Sequence, residues 1–474
     1  MKSTLPFVAI AITTLVACTD PKSADELTDT GSPDTDDTDD TDDTDDTDDT
    51  DDTDDTDDTD DTGDTGDTVP ENRCAPHFGT ITDNDQLEGF STCTAIEGNV
   101  HIEGPGITEL SALHNLVEVE GSLLIGQHTA LTTLAGLASL RVVGGSVVLQ
   151  NNTDLVDTTA LHSLDSAHSL IVFGSPSLTL LDTSAEVEEL QVHSCPALLE
   201  APGVTVTDDL QLVELPALAD WGNLQLTESV SEVRVHRTGL DTLTPLAPLT
   251  ELFVLSIIGN NALINVSGTE ALTSVDHLAL SGSPLLTDLD PFHGIASVGS
   301  LTLDTLTGLV DTTGLSGVHA LDTLVLRGQQ PDLDLSGLSG VVTVSDALTI
   351  DSSGDLDLTP LAALTEVGTL TIQSTTDLPS VDGLGGVEEV DQLLVTDNAT
   401  LDNLGGLSAL HTIHDSLTIA HNLALTELGM TDLSSVNGTA VVVTNPELNV
   451  CAAEEWAEDW GASSMSVSGN HPCE

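Results

Sequence analysis

The chain has 474 residues, with seven lysines and arginines against 80 aspartates and glutamates, a formal charge of −73 and no tyrosine. Such a charge repels phosphate, which excludes nucleic acid as a natural partner and disfavours adsorption to anionic lipid. It fits a solvated surface, a cation-rich medium or a cationic ligand. Aromatic residues, at 2%, are scarce for a globular enzyme.

The amino terminus reads as an export signal over residues 1–17. Lys2 gives a positive start, and Leu5 to Ala17 is an apolar run too short to span a bilayer. It ends in Leu15-Val16-Ala17-Cys18, which resembles the lipobox of bacterial lipoproteins. That resemblance implies cleavage before Cys18 and acylation of its thiol and new amino group. With Thr19 rather than Asp after the cysteine, it implies an outer-membrane protein, lipid-anchored and expected at the cell surface. An ordinary secreted protein with a chance cysteine is the competing reading.

Residues 18–73 form a tether. From Thr28 to Thr68 the chain is mainly a Thr-Asp-Asp repeat with 22 aspartates and no large apolar side chain. Mutual repulsion and the absence of a core predict an extended, disordered spacer that could reach on the order of 130 Å. The tract lacks the glycine-turned spacing of an EF-hand loop, so any Ca²⁺ would be held loosely and by many sites. No other cofactor is expected.

Beyond Cys93 the chain repeats. Strand starts fall at Asn99, Ser122, Ser146, Ser169, Glu189, Asp209, Glu232, Val254, His277, Ser300, Thr323, Ala347, Thr369, Gln392, Ser416 and Thr439, 22 to 24 residues apart except for two gaps of 20. A period held this long predicts a solenoid whose coils stack only on their neighbours. In the coil from Ser416, Leu417 and Ile419 point inward from a strand, Asn422 turns the chain, and Leu425 and Leu428 return to the core. Asn152, Asn260, Asn398 and Asn445 share that turn position with Ser175, Ser283, Ser353 and Thr375. A stack of small polar groups there is expected to hydrogen-bond the backbone of adjacent coils. The remainder of each coil reads as β structure and turns. The fold class is therefore all-β: a right-handed parallel β-solenoid of about 16 coils over residues 99–450, with a sheet roughly 70 Å long.

Such a stack needs closed ends. Residues 74–98 and 451–474 are the expected caps, stapled by Cys74–Cys93 and Cys451–Cys473, with an amphipathic helix over Ala452 to Trp460. Cys195 takes an Asn position and reads as a buried small residue rather than a reactive thiol.

The pattern resembles the receptor L-domain, the leucine-rich-repeat-like β-helix of insulin- and EGF-type receptor ectodomains, over roughly residues 74–474. The resemblance rests on the cysteine before Ile96-Glu97-Gly98-Asn99-Val100-His101-Ile102, on the recurring Leu-x-Ile/Leu/Val strand, and on Asn445-Pro446-Glu447-Leu448-Asn449-Val450-Cys451. It implies a binding or structural surface. Without a cysteine-rich module, a transmembrane helix or a cytoplasmic enzyme, receptor signalling does not carry over.

One part of the strand face stands out. Phe173, His193, Val213 and His236 share a column, with Ile171, Gln191, Gln211 and Arg234 beside it. Only five arginines and no lysine follow the Asp/Thr tract, so Arg234 and Arg237 next to two histidines are unusual. The histidines lie two coils apart, roughly 9.6 Å along the sheet, too far to share a zinc ion. Phe173, His193, Arg234 and His236 are the candidate ligand-binding residues, for an extracellular or envelope glycan or protein, against a bland reading of surface variation. No catalytic or metal-binding residue is assigned, because no Ser-His-Asp, Cys-His or metal-spaced His cluster stands out. A purely structural envelope spacer and a β-helical carbohydrate-active enzyme are the alternatives.

Overall fold

The computed structural model describes residues 72–75, 79–128, 130–329, 333–378, 380–449 and 460–471. The signal segment, Cys18, the Asp/Thr tether and its loose Ca²⁺ sites lie outside these residues. So do the Cys451–Cys473 bridge and the helix expected from Ala452, apart from Trp460, which is buried.

The described residues form one 23-stranded parallel sheet. Its register follows the sequence period. Ser146 pairs with Ser169, Ser169 with Glu189, Glu189 with Asp209 and Asp209 with Glu232. The ladder continues through Val254, His277 and Ser300 to Thr439 in the same frame. It also runs into the segments expected to be caps. Ser464–Ser468 adds a strand in register with Thr439, and Ile81 pairs with Ile102. At the amino end Cys74 is bonded to Cys93, with the Cα atoms 5.7 Å apart. A short helix, Asn84–Glu88, is capped by Asp83, whose carboxylate accepts from Gln86 N at 2.9 Å.

One coil shows why a period of 23 closes. Val275, Leu278 and Leu280 point inward from the strand Ser274–Ser281; Leu286, Leu289, Phe292 and Ile295 point inward from the return arm. Inward side chains fall three and then two residues apart along the strand and every three along the return, so each coil delivers a full ring of apolar groups. Burying each leucine contributes about 1.5–3 kcal/mol, and the ring gains this only when stacked on a neighbouring ring.

The return arm was expected to be β and turns, but it carries 3₁₀ turns, such as Ala135–Leu137, Thr313–Leu315 and Asp382–Leu384. Many follow an Asp two residues before the turn. The carboxylates of Asp311, Asp334 and Asp357 accept from the N–H groups of Thr313, Ser336 and Thr359 at 2.9, 2.8 and 2.9 Å. A turn of three residues is too short to show a helical period, so the sequence pattern cannot reveal it.

At the corner after the strand the chain passes through the left-handed region. Asn151, Ser194, Glu214, Arg237, Asp397 and His421 all have φ between 53° and 59°. The next residue faces inward and is polar in most coils. Asn260 Nδ2 donates to Val235 O at 2.7 Å while its Oδ1 accepts from Thr238 N at 2.9 Å, bridging neighbouring coils as the turn position predicted. Cys195 takes this place in its own coil. It is buried, with burial pushing the thiol up to about 11, and its Sγ donates to His193 O at 3.4 Å.

Candidate functional site

The sheet brings the candidate residues together as the sequence columns require. Phe173 pairs with His193, His193 with Val213 and Val213 with His236. Beside them runs Ile171, Gln191, Gln211, Arg234 and Ser256. A third column, Glu189, Asp209 and Glu232, lies two residues earlier on each strand. These carboxylates were not singled out in the sequence. Their signal was the i, i+2 alternation, which puts the acid and the amide of one strand on the same face.

The patch begins on the two 20-residue coils, at Phe173 and His193, and continues onto the next two, of 23 and 22 residues. Among the described residues no 3₁₀ turn occurs between Ser163 and Thr244. Trp221 fills the core where the turns resume, its Nε1 donating to Thr242 O at 2.8 Å. The strand face therefore changes its chemistry where the solenoid changes its cross-section.

Arg234 is not a free cation. It hydrogen-bonds Glu232 and lies 3.6 Å from Asp209, with 28% of its side chain exposed. Arg237 donates to Glu214 at 2.7 Å from the exposed corner, and Ser194 Oγ donates to the other oxygen of that carboxylate at 2.8 Å. Gln211 Nε2 donates to Asp209 Oδ2 at 2.7 Å, and His236 Nε2 meets Ser256 Oγ at 2.8 Å. Of the four buried side-chain atoms without a hydrogen bond among the described residues, His193 Nε2 and Asp209 Oδ1 lie in this patch, and Ser175 Oγ and Gln329 Oε1 lie elsewhere. Asp209 Oδ1 faces the Arg234 guanidinium at 3.6 Å, so the charge of that carboxylate is answered although this oxygen makes no hydrogen bond.

Residues 92–212 match the receptor L domain. The receptor L-domain-like stretch contains Phe173 and His193 and ends in the strand Thr205–Leu215, ahead of Arg234 and His236. Among solved structures, a leucine-rich-repeat protein of Leptospira interrogans is 16% identical with a TM-score of 0.38, over 82% of this chain and 93% of that one. An internalin of Listeria monocytogenes is 15% identical with a TM-score of 0.30, over 84% and 80%. No curated protein matches the chain. Over residues 92–212 the chain is receptor L-domain-like, a fold suited to a ligand-binding or protein-interaction scaffold. Among the described residues no group of three His, Cys, Asp or Glu is placed to hold a metal ion.

Burial sets opposite proton demands within this face. Burial pushes Asp209 up to about 6, opposed by Gln211 and Arg234 and assisted by Glu232 and Glu189. Burial pushes His236 down to about 4, assisted by Arg234, Arg237 and His193 and opposed by Ser256. Burial also lowers His193, against the pull of Glu214 and Gln211. The contribution of Asp209 to stability is complete below its ordinary pKa of 3.8 and is lost as pH rises through about 6. That of His236 is present above 6.5 and lost as pH falls through about 4. Between these limits the two oppose each other. Relative to the native chain, Asp209→Asn should gain stability from pH 4 to 6.5, and His236→Gln should lose it, each by about 1–2 kcal/mol after allowance for partial exposure. Thermal melts across that range test this. Parallel profiles for all three proteins would refute the assignment.

Proposed function

We propose that this is a non-catalytic, lipid-anchored cell-envelope protein that presents its strand face for binding or adhesion, with a glycan or protein of the envelope or surroundings as ligand. Cys18 is the acylated residue, and the Asp/Thr tract is the spacer that lifts the solenoid from the outer membrane. The reading is carried by the face around Phe173, His193, Arg234 and His236. There the face departs from its neighbours: acid–amide and acid–arginine pairs recur on three successive strands beside Phe173 and two histidines. A passive spacer has no use for such a departure, because desolvating these groups costs stability.

The test compares the native chain with Arg234→Ala/His236→Ala in binding to intact cells and isolated envelope material. Loss of binding by variant protein that remains folded, melting above the assay temperature, is the expected result; equal binding by both proteins would favour the structural spacer. Protease treatment of intact cells should release the solenoid if it faces the medium. Labelling of Cys18 by a palmitate analogue should be abolished by Cys18→Ser.

A further inference from the structure

We propose that the ligand of this face is an uncharged linear glycan lying along the solenoid axis, one sugar ring to each of the rungs begun by Glu189, Asp209 and Glu232. The inference rests on the binding role argued above and narrows it to one chemical class.

The three rungs share a design. Each carries an acid, two residues later a planar nitrogen donor, and two further on an imidazole or valine: Glu189-Gln191-His193, Asp209-Gln211-Val213 and Glu232-Arg234-His236. Within each rung the donor is held by the acid. Gln191 Nε2 donates to Glu189 Oε2 at 3.4 Å, Gln211 to Asp209 at 2.7 Å, and Arg234 to Glu232. Side chains so paired are oriented before any ligand arrives, which lowers the entropic cost of binding. Each pair also keeps spare acceptor and donor capacity side by side. Vicinal hydroxyls, each both donor and acceptor, answer that arrangement.

The third column supplies an apolar wall. Val213, flanked by His193 and His236 and extended by Phe173 and Ile258, offers faces on which the C–H side of a sugar ring can lie. The rungs repeat every 4.8 Å or so, comparable with the advance of one pyranose along an equatorially linked chain. An extended peptide repeats its side-chain pattern at roughly 6.6 Å and would fall out of register within two rungs.

Charge narrows the class further. Four carboxylates, Glu189, Asp209, Glu214 and Glu232, surround two guanidiniums that are already paired with them. A uronate or sulfated chain would meet a net negative face with no cation to spare. A polycation would meet Arg234 and Arg237 at its centre.

The experiment titrates the full chain with neutral oligosaccharides of one to six units in the gluco, N-acetylgluco, manno and galacto series, beside oligogalacturonates of matched length. One neutral series should bind, with affinity rising through three or four units and then levelling. Gln211→Leu should weaken that binding about tenfold in protein that remains folded, melting above the assay temperature. Binding by no neutral series, affinity indifferent to length, or preference for the galacturonates would overturn the proposal. If no glycan binds but Arg234→Ala/His236→Ala still abolishes attachment to envelope material, the ligand is a protein; the binding role then stands while this inference falls. If neither assay responds, both fall.

Discussion

Asn422→Ala should destabilise the carboxy-terminal coils by about 3–5 kcal/mol and open them before the rest of the ladder. Asn422 is fully buried, and its side chain takes part in four hydrogen bonds. Nδ2 donates to Val395 O at 2.9 Å and to Asn445 Oδ1 at 3.0 Å. Oδ1 accepts from Asn398 N at 3.2 Å and from Asn398 Nδ2 at 2.9 Å. Alanine leaves a carbonyl and an N–H of the preceding coil unpaired in the core, each costing about 1–3 kcal/mol, and adds a cavity. Asn398, Asn445 and Asn470 continue the same stack, with Asn470 Nδ2 donating to Val442 O at 2.8 Å. The loss therefore falls on the end of a one-dimensional array rather than on a shared core. Hydrogen exchange should show the amides of Thr439–Val443 and Ser464–Ser468 losing protection first. Uniform loss across the chain, or a cost under about 1 kcal/mol, would contradict the ladder account.

The asparagine ladder was legible because its residue type and spacing repeat together. Each Asn sits at a fixed distance after an alternating apolar strand, so one coil explains the others. The strand register was legible for the same reason. Its frame is set by inward leucines, and a slip of one residue would turn every one of them outward. The left-handed corner was not legible, since Glu214, Arg237 and His421 occupy it as readily as Gly259. The backbone is held there by inter-coil bonds such as Ser194 N to Val213 O at 2.9 Å, not by a residue preference. At the candidate site the columns could be read from the period, whereas the pairing of Arg234 could not. Whether an arginine is free or held by Glu232 and Asp209 depends on rotamers, and a sequence surrounded by acids does not say which carboxylate wins. The carboxylates went unremarked because aspartate and glutamate are so common along this chain that one more acid carries no signal until its burial is known.

Gly383→Val should cost about 3 kcal/mol or more, for a reason unrelated to glycine's freedom of φ. Gly383 is the middle residue of the 3₁₀ turn Asp382–Leu384, and a Cβ built on it would lie 1.6 Å from Leu358 O in the preceding coil. Gly337 and Gly314 stand in the same relation to Thr312 O and Leu289 O, at 1.7 and 1.8 Å. The turns thus stack backbone on backbone, and glycine is what allows coils with 3₁₀ returns to approach this closely. The contact is with a carbonyl held in its own turn, not with a side chain that can swing aside, so the added group must push two coils apart. Their strands are fixed on the opposite side by the ladder of Ala347 with Thr369, which leaves little room to yield. Gly385, two residues later, is the control: its nearest contacts would be ordinary ones at 3.6 Å, and its φ of −67° suits any L-residue. Gly385→Ala should leave stability unchanged or raise it by about 0.4–1 kcal/mol through the unfolded chain. Chemical denaturation of the two variants side by side measures the contrast. Equal stabilities would mean that the coils breathe enough to admit a side chain, and that close backbone stacking is not what fixes their spacing.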